Sequence, residues 1–563
     1  MTRFAPLLAT LLLIASATGF AQAPLQALEE VLSTGDLQEA RRLLSRLKSA
    51  GAEPDVVSFF EGRLAFEEGD YAAAVEQLRR AGVEDSAGSY LKLAQDTLAI
   101  TKKHERAESE HFVFSYPKGK DALLAPYALE TLEKIRSALG EDLGHLPEGK
   151  IRVEVVNDAR ELALTSTLTY EQIRRTGTIA ICKFNKLIIT SPKSVLRGYD
   201  WRDTLAHEYV HWVVTAATQN AAPIWLQEGL AKYLESRWRG EAGLSMPPAT
   251  LALLGERVRR NALVTFEQMH PSIALLPSHE DAAVAFAEVF FAADWLYRKH
   301  GTTRLRAILT ALREGKTDQQ AIAASTGAPF AAFEKSWLGH LRRLPFPKEF
   351  ISLREDTVTL VEPGRGSKQA RGEGRHQNDW LDFSEMREID ARKSAHLGEL
   401  LRTRRRLAAA AEEFGKAHRL VGDRYPALSN KYALTLLGLS RLSEAETVLR
   451  GSLRTHPNTP LTQVHLGRIS LAKGDYPRAK VAYLEALSAD PFDPEIHVAL
   501  LRAAIELRDV ELERRARQAG SLLLGASNER LTQLAKSLGQ HATLTEPSGG
   551  AVLDKAHAPE KSR

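Results

Sequence analysis

The six residues Gly35–Ala40, GDLQEA, return as GDYAAA at Gly69–Ala74, an offset of 34 residues. Near the other end, Ala445 and Pro457 return as Ala479 and Pro491 at the same offset, the second time with KGDYPRA at Lys473–Ala479. A looser unit, LGELLRTRRRLAAAAEEFGKA, carries small and aromatic residues at matching places over Leu397–Ala417. A period of this length constrains the chain more than any other feature, because such units are stable only when stacked on one another. The spacing predicts paired antiparallel helices. Small Ala and Gly sit where two helices cross closely, larger apolar residues fill between them, and Pro457 and Pro491 end helices.

This pattern resembles the tetratricopeptide repeat. The resemblance implies all-α arrays at 24–105 and 396–525, with protein partners reached through the repeats. At 563 residues the chain is too long for one core, so several domains are expected. Between the arrays, at 108–350, the texture changes. HFVFSYP reads as a strand, ALLAPYALETLEKIRSAL as an amphipathic helix and KIRVEVV as a second strand. GTIAICKFNKLIIT reads as a hairpin with Asn185 in its turn. Helices follow almost continuously, over Trp201–Thr218, Ile224–Arg239 and on to Leu341. A small sheet followed by a helical half is an α+β domain. The expected architecture is thus multi-domain, an α+β domain between two helical arrays. A polar, Gly-rich linker is expected at 351–395 and a C-terminal helix with a disordered tail at 526–563.

The first 23 residues, MTRFAPLLATLLLIASATGFAQA, have an early Arg3, an apolar run from Leu7 to Ala15, and small residues leading to Ala21 and Ala23. That is the anatomy of a secretory signal peptide, so the mature protein is expected to be exported, periplasmic or secreted. No later apolar stretch is long enough for a bilayer, so no stable span is expected once the signal is removed. Lys and Arg number 75 against 71 Asp and Glu, a formal charge of +4. That balance gives no indication of a strongly basic nucleic-acid surface, and no nucleic-acid partner is expected. Cys182 is the sole cysteine, so no intramolecular disulfide forms, and its Ile-rich surroundings make it a buried structural thiol.

The stretch that carries chemistry is DTLAHEYVHWVV, Asp203–Val214. On a helix, His207 and His211 are four residues apart and project from one face about one turn apart. Two neutral imidazoles so placed can share one Zn²⁺. Glu208 lies about 100° round from His207, off the ligand direction but beside the metal, where it can take a proton from water. Asp200 is a suitable N-cap, with Asp203 in the first turn. The string alone is only moderately specific, so a third ligand must decide. A third histidine six residues on would require Gly and His where the chain has Val214 and Ala217. A glutamate from the next helix is available: PIWLQEGLAKYLE supplies Glu228, seventeen residues after His211. The first helix runs on past His211, TQNAAP turns the chain, and an antiparallel return brings Glu228 beside the histidines. His207, His211 and Glu228 then leave a fourth zinc position open.

HEYVH followed by WLQEGLA resembles the gluzincin metallopeptidases, most closely the bacterial peptidase MA-like domain associated with tetratricopeptide repeats. The resemblance covers about Glu108 to Leu341 and takes in AVAFAEVFFAADWLYRKHG and GAPFAAFEKSWLGHL. It implies zinc, a zincin-like α+β catalytic fold and hydrolysis of a peptide or protein substrate by zinc-activated water. His207, His211 and Glu228 become ligands and Glu208 the general base. Two positions depart from the family. Thermolysin-like members place an acid four residues after the ligand glutamate to orient one histidine; here that position is Lys232, and Asp203 is the expected substitute. Where the family often has an oxyanion-stabilising Tyr, this chain has Phe286, with Tyr209, Tyr233 or His279 as possible replacements. Trp225, Phe333 and Trp337 read as packing residues. The expectation is an exported zinc metallopeptidase; the alternative is a repeat-based binding scaffold carrying an inactive or structural zincin domain.

Overall fold

The computed structural model describes residues 22–347 and 386–538, apart from 87, 196–197, 244–245 and 458, together with residue 383. The leader up to residue 21, most of the segment read as a linker and everything beyond 538 lie outside the described residues. The chain divides into two compact units. The first takes the described residues up to Ser191 together with Arg202–Met246 and those from Thr250 to 347. The second takes Pro192–Trp201, Pro247–Ala249 and the described residues from 383 onward.

The first unit opens with helices at Gln22–Thr34, Leu37–Ser49, Pro54–Glu68, Tyr71–Arg80 and Tyr90–Thr101. The recurring Gly-Asp pair makes the turns. Gly35 and Gly69 lie at φ 79° and 87°, a region glycine enters freely. Asp36 and Asp70 then cap the following helices by accepting from the N–H groups of Glu39 and Ala73. Ala40 and Ala74, which close the two motifs, are fully buried.

Five strands follow, β1 (His104–Glu108), β2 (Phe112–Pro117), β3 (Ile151–Val156), β4 (Ala180–Lys183) and β5 (Lys186–Thr190), ordered β1-β2-β3-β5-β4. The central pairs β2–β3 and β3–β5 are parallel, and the two edge strands run antiparallel to their neighbours. The helix Ala125–Leu143 lies against β2 and buries Ala128, Leu132, Ile135 and Leu139, a helical spacing. β1, with the sequence HERAE, is half-exposed and carries no apolar alternation, so periodicity could not reveal it.

The β4–β5 hairpin turns at Phe184 and Asn185, both at positive φ (57° and 49°), as a type I′ turn requires. Phe184 enters the core of the N-terminal helices, its ring edge-on to Phe66 at 5.2 Å. Below it lies a buried polar network. Lys186 Nζ donates to Glu154 Oε2 at 2.7 Å and to the Tyr71 hydroxyl at 2.9 Å. The Tyr71 hydroxyl donates to Glu154 Oε1, and Arg152 Nη1 donates to the Tyr71 oxygen at 2.9 Å. The N-terminal helices and the sheet therefore share one interior.

The helical half has helices at Trp201–Thr218, Ile224–Leu234, Pro248–Arg260, His279–Arg313, Asp318–Thr326 and Phe330–Leu341. The run expected over Ile224–Arg239 is a helix to Leu234 and then a short 3₁₀ turn at Arg237–Arg239. The long helix from His279 breaks at Gly301 (φ 74°, ψ 169°), so it is two helices end to end.

Among the described residues the second unit holds four helix pairs and a closing helix: Ile389–Thr403 with Leu407–Val421, Pro426–Gly438 with Leu442–Thr455, Pro460–Ala472 with Tyr476–Ala489, Pro494–Leu507 with Val510–Leu524, and Asn528–Ser537. The prolines at 426, 460 and 494 each open a pair, 34 residues apart, where a missing N–H costs nothing. Gly398 and Gly467 lie so close to the rings of Phe414 and Tyr483 that a methyl group would overlap them. The first helix starts at Ile389, inside the span read as linker. Among the described residues no helix is long and apolar enough to cross a membrane.

Candidate metal centre

His207 and His211 leave the same face of the helix Trp201–Thr218, with their Nε2 atoms 3.1 Å apart and their rings near perpendicular at 78°. Gln219 and Asn220, both at positive φ, reverse the chain, and Ile224–Leu234 returns. That helix lies against His279–Arg313 at Gly229, where a β-carbon would come 2.6 Å from the Val289 carbonyl oxygen. Only glycine permits the approach. The neighbouring Glu228 is thereby delivered, with Oε2 3.7 Å from His207 Nε2 and 3.5 Å from His211 Nε2. One donor atom from each of the three residues lies within 4.8 Å of the others, and no other such group occurs among the described residues.

Glu235 fixes the hydrogen on His207. Its Oε2 lies 3.1 Å from His207 Nδ1, and since an ionised carboxylate only accepts, Nδ1 carries the proton. The Nε2 of a neutral His207 then offers a lone pair toward His211 Nε2. Two lone pairs at that distance repel unless a proton or a cation sits between them. The electrostatics agree. Burial opposes charge on His207, yet the neighbouring Glu228 carboxylate, the bond to Glu235 and the charge of Glu208 raise its pKa to about 10. Burial likewise opposes charge on Glu228, but His211 and His207 pull its pKa well below the ordinary carboxylate range. The two Nε2 atoms and the Glu228 carboxylate thus converge where a cation would be held. Two imidazole nitrogens and one carboxylate oxygen fit Zn²⁺ with an open position.

Glu208 is buried beside this set. Burial raises its pKa above the ordinary range, against the pull of the two imidazoles and the Cys182 N–H. The Cys182 thiol is pushed up by burial and by the Glu208 charge, which makes it a poor nucleophile.

The expectation for Asp203 is corrected. It accepts from Trp238 Nε1 at 2.7 Å and from Arg239, which ties the 3₁₀ turn Arg237–Arg239 to the histidine helix. Glu235 takes the role assigned to it, against His207. Sequence reasoning stopped one turn after Glu228, at Lys232. The acid stands two turns after it, a spacing that returns to the same helical face.

The oxyanion candidates part from the site. The Tyr209 ring is buried against Phe112 at 5.3 Å, and its hydroxyl meets no partner. Tyr233 packs between Phe290 and Tyr297, beside the Asp294–Arg298 pair. His279 is the exposed first residue of its helix. Trp225 is a packing anchor, stacked on Phe266 at 4.5 Å with Nε1 donating to Asp318 Oδ2 at 2.9 Å. Phe333 and Trp337 are buried core residues.

Residues 133–343 match a family model described as the Peptidase MA superfamily. The match takes in β3 to β5 and both helices of the centre, and supports a metallopeptidase-like domain in this part of the chain. No curated protein matches the chain. Among solved structures, the chain is similar to native yeast LTA4 hydrolase at 13% identity and a TM-score of 0.28, covering 77% of this chain and 66% of that one. It is also similar to yeast LTA4 hydrolase in complex with bestatin, at 12% identity and a TM-score of 0.27, covering 80% and 67%. The chain spans just under two thirds, 66%, of the length of the native hydrolase.

Proposed function

We propose that the protein is an exported zinc-dependent metallopeptidase, periplasmic or secreted, whose helix pairs are tetratricopeptide-like arrays that hold protein partners. The observation that carries the enzymatic reading is the convergence of His207 Nε2, His211 Nε2 and Glu228 Oε2 beside a buried Glu208. Zinc held by this set would supply a Lewis acid that polarises a peptide carbonyl and acidifies water. The chain supplies the proton traffic. Glu208 accepts the proton of the attacking water and passes it to the leaving amine. A carboxyl group whose pKa is raised by burial suits both halves of that task.

The test is Glu208→Gln, which keeps the side chain's size and all three ligands. Zinc content and melting temperature should stay near wild type while turnover of a peptide library falls by about 10²–10⁴-fold. Equal cleavage by variant and wild type would place the base elsewhere. The second reading, a binding scaffold with an inactive zincin domain, is favoured by the burial of Tyr209 and Tyr233, which leaves neither free to steady an oxyanion. It requires a wild type with no chelator-sensitive cleavage of any peptide and a silent Glu208→Gln.

A further inference from the structure

We infer that the third helix pair of the second unit, Pro460–Ala472 with Tyr476–Ala489, takes a segment of this same chain as its partner and so sets the start of the helix that carries His207 and His211. The inference goes beyond the peptidase reading and does not depend on zinc. The second unit includes Pro192–Trp201, although its helix pairs begin only at Ile389. Trp201 is also the first residue of the helix Trp201–Thr218, whose other residues belong to the first unit. The helix Pro248–Arg260 likewise begins in the second unit, with Pro248 and Ala249, and continues in the first. Both helices lie within the 133–343 family match.

A proline creates the need for a partner. In a continuing helix the Leu487 carbonyl, in the last turn of Tyr476–Ala489, would accept from the N–H of residue 491, and that residue is Pro491, which has none. Within the second unit Trp201 supplies the donor. Its indole Nε1 donates to the Leu487 oxygen at 3.2 Å, and the side chain is fully buried. Three residues earlier the chain meets the end of the same helix at Gly198 (φ 69°), where a β-carbon would overlap the Ala489 carbonyl oxygen. Only glycine permits that approach. Val195 and Tyr199 of the segment are buried as well. Pro491 stands 34 residues after Pro457, so the orphan carbonyl is a product of the repeat, and the segment before the histidine helix satisfies it.

The experiment is amide hydrogen exchange of the full chain in its metal-free form, so its outcome is separate from that of the zinc reading. Trp201→Phe keeps an aromatic ring and removes the N–H. Exchange at Leu205–Tyr209, just inside the histidine helix, should quicken by about 2–12-fold, the worth of one hydrogen bond, while Ile224–Leu234 keeps wild-type rates. Gly467→Ala crowds the Tyr483 ring inside the third pair, and should quicken exchange both in Pro460–Ala489 and at Leu205–Tyr209. Unchanged exchange at Leu205–Tyr209 in Trp201→Phe overturns the inference. So does a Gly467→Ala chain whose third pair loosens with no change at Leu205–Tyr209. A rise spread evenly over the whole chain in either variant overturns it too, since that is loss of global stability alone. If Gly467→Ala does not fold, Trp201→Phe decides.

Discussion

Where the N-terminal helices meet the sheet, Lys186, Arg152, Tyr71 and Glu154 are buried with the cationic donors and the Tyr71 hydroxyl joined to the Glu154 carboxylate in one hydrogen-bonded network. Between the histidine and glutamate helices, His207, His211 and Glu228 are also largely buried, yet they aim three acceptor atoms at one point. Burial and perturbed protonation are common to both. Burial opposes charge on Glu154, and Lys186 and Arg152 hold it below the ordinary range, much as the imidazoles hold Glu228. A displaced pKa therefore does not separate a structural cluster from a functional one. Complementarity does: the first pairs donors with acceptors, while the second turns three acceptor atoms toward one point that suits a cation.

Breaking the closed cluster should have the largest effect. Glu154→Ala leaves the fully buried Lys186 ammonium without its carboxylate, and denaturant unfolding should show a loss of about 3–5 kcal/mol. Zinc content of the folded variant should be unchanged. A loss below about 1 kcal/mol would mean that the network is not closed.

The next effect is a pH dependence at the edge of that network. Glu67 Oε2 is buried without a partner, and burial lifts the group from 4.5 to about 7 against the pull of Arg63, Arg152, Lys183 and Lys186. A carboxyl raised in the folded state stabilises fully below pH 4.5 and loses that contribution as pH rises to about 7. The swing is roughly 3 kcal/mol at 1.36 kcal/mol per unit. Stability of Glu67→Gln between pH 4.5 and 8 should lack this fall; an equal fall in variant and wild type would assign it to other groups.

A smaller change probes the open cluster. Gly229→Ala should destabilise by about 1–3 kcal/mol through overpacking against the Val289 carbonyl, and should weaken zinc as Glu228 is displaced. Unchanged zinc affinity with lowered stability would show that the glutamate helix tolerates the shift. Smallest is the link between the regions, where Trp212 Nε1 donates to Asn185 Oδ1 at 3.2 Å. Trp212→Phe should cost about 1 kcal/mol on melting and leave zinc binding alone.

What was legible in the sequence followed from local spacing. Four and seventeen residues bring His207, His211 and Glu228 together because helix geometry and a short reversal leave the chain little choice. The hairpin around Asn185 and the strands β2 and β3 were equally readable, from alternating or continuous apolar residues between turn signals. β1 was not, since its polar sequence is held by pairing with β2 alone. Glu235 was missed and Asp203 misassigned for one reason. Both lie one or two turns from a ligand, and only the packing of Arg237–Arg239 on the histidine helix decides which faces His207. The buried network is illegible for a stronger reason: Tyr71 and Lys186 stand 115 residues apart, and no period relates them.

The Gly-Asp joint has a consequence for how such a chain can change over generations. One helix ends at a left-handed glycine and the next begins at a capping aspartate, as at Gly474 and Asp475, so a change of direction is written in two adjacent letters. A duplicated or deleted stretch of 34 residues brings its own joint with it and meets neighbours of the shape it left. The helix pairs can therefore vary in number by copying alone. The metal centre, drawn from one hairpin, cannot lose a single residue between His207 and Glu235 without losing its register.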